Sequence, residues 1–249
     1  MEIKFKNVCL NKIVNDFNLN ISSDIYSFIG MTISDIKNIL NGNFTSGEVC
    51  IGKKKIKPKE KIKNNINEDI AYLNSNLFNI NIYEDLRYGN KNIDKIKVLE
   101  YLKAFDLDDS ILKKNYTEIS RGEVSKILLI KMLIEDKKIY IMENPSLYLD
   151  NKSENTLIKY LKALKHKDKL IIILTNNIEF AFKSSSNIVI INNKIKICDN
   201  KYNIFDSFNK IPKPEIIDFI YYVKNEKNVK LCNRDNINDL VKDIYRNAK

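Results

Sequence analysis

A glycine set between a buried strand and a helix is where a chain can wrap backbone amides around a phosphate, at the positive end of the helix dipole. Gly30 stands in such a place. The apolar run Ile25-Tyr-Ser-Phe-Ile29 leads into it, and Ile33, Ile36, Lys37, Ile39 and Leu40 continue at helical spacing. A working phosphate loop reads Gly-x-x-x-x-Gly-Lys-Ser/Thr, the lysine reaching the β- and γ-phosphates and the hydroxyl holding Mg²⁺. Here only the first glycine is present. Asp35 occupies the second glycine position, Ile36 the lysine position and Lys37 the hydroxyl position. Sliding the frame by one residue makes Lys37 the phosphate cation, but Asp35 then faces a polyanion, which Coulomb repulsion opposes. The structural alternative is that Ser34 and Asp35 cap the helix, the carboxylate taking the place of phosphate.

Other reactive side chains are sparse. Ser120-Arg-Gly-Glu123 has the Ser-x-x-Glu form of a capping box and suits a helix start with or without a ligand. Cys9, Cys50, Cys198 and Cys232 are scattered, and His166, in a lysine-rich turn, is the only histidine. Idle or buried thiols are therefore expected rather than a zinc site, and a solvated surface role for His166.

The elements that would position these residues alternate between strand and helix. Residues 1–29 carry short apolar runs of strand type, and Thr45-Ser-Gly-Glu48 is a turn before another strand, Val49 to Ile51. Helical spacing runs through residues 93–114 and 122–135, and a helix fills 151–165. Lys138-Ile-Tyr-Ile-Met142 and Leu170-Ile-Ile-Ile-Leu174 are continuous apolar runs, typical of strands covered on both faces. This order predicts a mainly parallel α/β sheet. Pro212 and Pro214 mark the entry to a separate helical tail.

The 249 residues, 44% of them apolar, suffice for one α/β domain with a sizeable core. No run of about 18 uncharged apolar residues is present, and the start, Met1-Glu-Ile-Lys-Phe-Lys6, is not of signal-peptide type. No direct membrane insertion is expected. The net charge of +10 comes with lysine, asparagine and isoleucine spread throughout rather than with one basic patch, so a nucleic-acid partner is not expected.

The order of segments resembles that of the ATP-binding subunits of ABC transporters. Gly30 to Asn38 with Ile39-Leu-Asn-Gly42 and Thr45-Ser-Gly-Glu-Val49 resembles their Walker A region. Ile119-Ser-Arg-Gly-Glu123 resembles the ABC signature, and Lys138 to Asp150 resembles Walker B and the following D-loop. Leu174-Thr-Asn-Asn177 with Ile188 to Ile195 resembles the switch-histidine strand and final hairpin. Leu40-Asn-Gly42 and the tail Pro212 to Phe219, continuing through Asp235 to Val241, are similar to the energy-coupling-factor type. The resemblance implies a P-loop NTPase-like fold over about residues 1–205: a mainly parallel core, an N-terminal antiparallel β part and an inserted helical subdomain at about 76–125. A C-terminal helical tail would fill 206–249.

It also implies roles, many of them damaged. Ile33 and Asp35 replace glycines. No aromatic residue in Leu10-Asn-Lys-Ile-Val14 offers to stack on adenine, and Asn74 is the nearest equivalent of the Q-loop glutamine. Ile82 to Gly89 is similar to the start of the helical subdomain, beside which a coupling helix docks. Walker B normally ends Asp-Glu; here Glu143 could still reach a metal, but Asn144 cannot accept a proton. General-base catalysis, worth about 10²–10⁴-fold, is then unavailable from that position. Asn176 replaces the switch histidine. The signature keeps Ser120 and Gly122, with Arg121 and Glu123 as departures, and Asp150 matches the D-loop aspartate at the dimer seam.

An ABC ATP lies between one subunit's Walker motifs and the other's signature, so a chain that retains only the signature can complete its partner's site. The expectation is a non-hydrolysing or weakly active subunit of a heteromeric transporter, peripheral on the inner face of the cell membrane. It would need an intact ABC ATPase subunit and a transmembrane coupling subunit. ATP and Mg²⁺ would sit at the partner-completed site, while binding through Gly30, Ser34 and Lys37 of its own site is doubtful. The alternatives are an active ABC ATPase using unusual residues, or a non-transport scaffold or regulator on an ABC-like fold.

Overall fold

The computed structural model describes residues 1–10, 13–59, 66–73, 80–88, 93–192, 195–207, 211–227, 231–234 and 236–247, with backbone alone at 192, 195–198, 206, 207 and 247. In chain order the elements begin with β1 (Glu2–Leu10), β2 (Val14–Ser22), β3 (Ile25–Ile29), α1 (Ile33–Leu40), β4 (Ser46–Ile51), β5 (Lys54–Ile56) and β6 (Ile70–Tyr72). The helices α2 (Ile82–Arg87), α3 (Lys95–Ala104) and α4 (Arg121–Ile134) follow, then β7 (Ile139–Glu143), α5 (Asn151–His166), β8 (Leu170–Leu174) and α6 (Ile178–Ser184). The hairpin β9 (Asn187–Asn192) and β10 (Ile195–Asn200) leads into α7 (Ile204–Ser207), α8 (Glu215–Lys227) and α9 (Ile237–Asn247).

Two sheets result. Strands in the order β2-β1-β4-β5 form an antiparallel sheet, and β10-β9-β3-β8-β7-β6 forms a second sheet that is parallel except for the β9–β10 hairpin. The continuous apolar runs become the inner strands of the second sheet, where side chains alternate between two cores. Ile139, Ile141, Leu170, Ile172 and Leu174 face the antiparallel sheet and α1. Tyr140, Met142, Ile171 and Ile173 face the helices, packing with Ile127, Ile130, Leu157 and Leu161. A third cluster joins Ile216, Ile217 and Ile220 of α8 and Leu240 of α9 to Phe182, Ile188, Ile190 and Phe205. The fold class predicted from the sequence is the one observed.

One helical expectation is corrected. Residues 93–114 do not form a continuous helix: α3 ends at Ala104, Asp106 takes a left-handed backbone (φ 59°), and the Leu107 amide donates to Leu102 O at 2.9 Å. That is a helix stop made by an aspartate, one of the few side chains that tolerate positive φ. A 3₁₀ turn, Asp109–Lys113, replaces the last helical stretch.

Candidate functional site

Between β3 and α1 the chain is too short to be a phosphate loop. Only Gly30, Met31 and Thr32 lie outside regular structure, and residues 33–35, which would wrap a phosphate, already form the first turn of α1. The N-cap is Thr32, not Ser34 as the sequence reading has it. Thr32 Oγ1 accepts from the Asp35 amide at 3.3 Å, while Asp35 Oδ2 accepts from the Thr32 amide at 2.9 Å and its hydroxyl at 2.7 Å. The Ile36 amide donates to Thr32 O at 3.2 Å. Asp35 does stand in for phosphate at the helix start, as the capping alternative requires, and Ser34 is exposed beside it. The amides of Thr32, Asp35 and Ile36 are thus spoken for by the chain itself.

The side chains agree. Ile36, in the lysine position, is 1% exposed and belongs to the core between the two sheets. Gly30 has φ 87°, and a Cβ there would lie 2.0 Å from Ile191 O, so packing against β9 alone requires the glycine. These residues do not fit an ATP phosphate chain and its Mg²⁺.

Lys37 remains on the partly solvated side of α1, its Nζ 4.8 Å from the Tyr72 ring centroid. Burial pushes the Tyr72 hydroxyl up to about 12. Lys37 also lines a cleft of about 470 Å³ with Leu73, Glu143, Asn144 and Pro145 on one side and Arg121, Val124, Ser125 and Leu128 of α4 on the other. The topology therefore brings the end of β7 and the outer face of α1 together, as the sequence order implies. Asn144 is exposed in a left-handed turn (φ 44°), its amide donating to Leu174 O at 2.9 Å; asparagine suits that backbone. Asn176 is exposed at the end of β8 and is not part of the cleft wall, and neither are Gly30, Ser34, Ser120, Gly122 or Asp150. Asn74 lies outside the described residues. Among the described residues no group of three or more His, Cys, Asp or Glu side chains could hold a metal ion.

The start of α4 carries the same kind of capping box. Ser120 is the N-cap: its Oγ accepts from the Glu123 amide at 3.2 Å, and Glu123 Oε2 accepts from the Ser120 amide at 2.8 Å. Those bonds hold the Glu123 carboxyl below its ordinary range. Arg121 is exposed in the first turn, 5.9 Å from the Tyr148 ring, a contact with no signal in the sequence spacing. A Cβ on Gly122 would lie 3.2 Å from Tyr148 O, so the helix start and the segment after β7 approach closely at this glycine. Leu147 and Tyr148 are more than half exposed there.

Asp150 caps α5, accepting from the Ser153 amide at 2.8 Å and Ser153 Oγ at 3.1 Å, and pairs with Lys126 of α4 at 3.1 Å. The amide bond first, then the lysine, lower its carboxyl to about 2. His166 is exposed in the last turn of α5.

Residues 33–147 match the ABC transporter family. An uncharacterized ABC transporter ATP-binding protein of Methanocaldococcus jannaschii is 29% identical over 116 residues, 46% of this chain and 38% of that protein. The energy-coupling factor transporter ATP-binding protein EcfA1 of Fusobacterium nucleatum is 29% identical over 136 residues, 52% of this chain and 48% of that protein. The chain thus spans half or less of the length of these relatives. Among solved structures, cbiO1 of Clostridium perfringens, part of the ABC transporter complex cbiONQ, superposes with a TM-score of 0.68 at 19% identity, covering 89% of this chain and 94% of that one. A bacterial Atm1-family ABC exporter with ATP bound gives a TM-score of 0.70 at 13% identity, covering 83% of this chain and 40% of the exporter. Residues 33–147 thus resemble the ABC transporter family, and the chain has the fold of the ABC proteins on which it superposes.

Proposed function

We propose that this chain is the non-hydrolysing ATP-binding-type subunit of a heteromeric ABC transporter of the energy-coupling-factor kind. It completes a partner ATPase's site with Ser120 and Gly122 at the start of α4. The observation that carries the reading is the lysine position of α1, filled by a core isoleucine, while the signature's serine stands exposed at the start of α4. At α1 the phosphate amides are consumed by the Thr32–Asp35 capping box and the lysine position is a core isoleucine. At α4 the serine and glycine of the signature stand at the solvent-facing N-terminus of a 14-residue helix, where the dipole favours an anion, although Glu123 already accepts from the Ser120 amide there.

The partner would supply intact Walker motifs, and ATP with Mg²⁺ would lie against Ser120 across the seam. A transmembrane coupling subunit would hold the pair at the inner face of the membrane; no helix among the described residues is long and apolar enough to cross it. The likeness to energy-coupling factor ATP-binding proteins and to cbiO1 supports that arrangement.

The test is to co-purify the chain with its partner ATPase and measure turnover with Ser120→Arg. Loss of most of the partner's turnover is expected, and unchanged turnover sinks the proposal. One observation favours a second reading, a slow ATPase in its own right: Lys37 and Glu143 line the same cleft. ATP turnover by the isolated chain that disappears with Glu143→Ala would favour it.

A further inference from the structure

A buried polar cluster outside the cleft bears on how the start of α4 is held. Asp85 of α2 is fully buried, and both of its oxygens are engaged. Oδ1 accepts from Lys131 Nζ of α4 at 2.7 Å, and Oδ2 accepts from the Tyr116 hydroxyl at 2.5 Å. Tyr116 opens the 3₁₀ turn Tyr116–Glu118, four residues before Ser120. A second tie runs alongside, the Ile82 amide donating to Lys114 O at 3.0 Å. Burial, reinforced by Asp85, pushes the Tyr116 hydroxyl well above the ordinary tyrosine range, so it remains a donor.

A buried ion pair is a poor way to gain stability, since removing both charges from water offsets much of their attraction and apolar replacements are often at least as stable. What such a pair offers is geometry: two charge-assisted bonds that fix three chain segments at set distances. The segments here are α2, the turn leading into the signature, and the last turn of α4, where Lys131 lies about three turns beyond the helix start at roughly 3.6 residues per turn.

We propose that Asp85 is a positioning residue that sets the start of α4, and with it Ser120 and Gly122, by holding Tyr116 and Lys131 at once. In its functional arm the inference rests on the reading of Ser120 as the residue that meets the partner's nucleotide. In its structural arm it stands alone. Asp85 touches no nucleotide in either; it acts through Tyr116.

The test uses the full chain with Tyr116→Phe, which deletes one hydroxyl and leaves the ring packed, and with Asp85→Asn as the second variant. Amide hydrogen exchange of Glu123 and Val124 should quicken at least about tenfold in both variants, while in Tyr116→Phe, which keeps the Asp85–Lys131 bond, Ile127 to Ile134 should exchange as before. Exchange at Glu123 and Val124 within about twofold of the wild type overturns the proposal. In the complex with the partner ATPase, Tyr116→Phe should lower kcat several-fold with KM for ATP unchanged when turnover is counted per folded, assembled complex, a count from which mere loss of stability drops out. Unchanged kcat where Ser120→Arg abolishes turnover also overturns it. If Ser120→Arg itself has no effect, the proposed function fails and the exchange measurement alone decides on Asp85. If Asp85→Asn fails to fold, Tyr116→Phe carries both measurements.

Discussion

Replacing a phosphate-loop lysine by isoleucine does more than delete a charge, because the side chain at position 36 now points into the core with Ile39 and Leu40. Restoring the lysine therefore should not restore a site. Ile36→Lys places an ammonium group where there is no water and no carboxylate partner, while Asp35 stays bonded to Thr32. We expect a loss of at least about 2 kcal/mol of stability, measured by urea unfolding, and no gain in ATP binding by the isolated chain; a stable variant that binds ATP would contradict this reading. The damage to the motif was legible from residues 35, 36 and 37 alone. The identity of the cap was not. Thr32-x-x-Asp35 has the same acid-after-three form as Ser120-x-x-Glu123, but with the motif frame laid over Gly30 the eye goes to Ser34. The Asp85–Tyr116–Lys131 cluster left no trace in sequence spacing, since its members are 31 and 46 residues apart.

At the scale of elements, five of the described helices start on the same device. Thr32, Asn81, Ser120, Asp150 and Asn177 each take the extended backbone of an N-cap and accept from the amide three residues on. Asp150 adds a charge and reaches Lys126, tying α5 to α4 across the segment after β7. Its lowered carboxyl gives a signed prediction. Folding favours the ionised form, so the contribution is complete above the ordinary carboxyl value of 3.8 and is lost as the pH falls toward about 2. Asp150→Ala should cost about 1 kcal/mol at pH 7, with little added by the exposed side of the ion pair. The deficit should shrink steadily below about pH 4; a deficit that does not change with pH would mean the cap is not acting as a carboxylate. Elements buried on both faces were the most legible, because Ile139–Glu143 and Leu170–Leu174 have nothing to alternate with. The stretch from 93 to 114 was less so, since periodic apolar residues do not reveal the left-handed turn at Asp106 that stops α3.

For the molecule as a whole, the mainly parallel α/β class follows from the strand-helix alternation, whereas the sheet order and the three cores are read from the structure, and the tail is bound in by Ile216, Ile217, Ile220 and Leu240. Sequence order alone could put the end of β7 near α1. It could not reveal that only three residues separate β3 from α1, with a Thr32–Asp35 capping box at the helix start. On the proposed function the chain would hold one half of one nucleotide site and none of its own. The direct measurement is the number of ATP molecules bound at saturation by the purified complex of this chain with its partner ATPase, under conditions that prevent hydrolysis. One ATP per heterodimer, lost with Ser120→Arg, is the predicted result. Two per heterodimer, or one that persists when the partner's own phosphate loop is disabled, would contradict it.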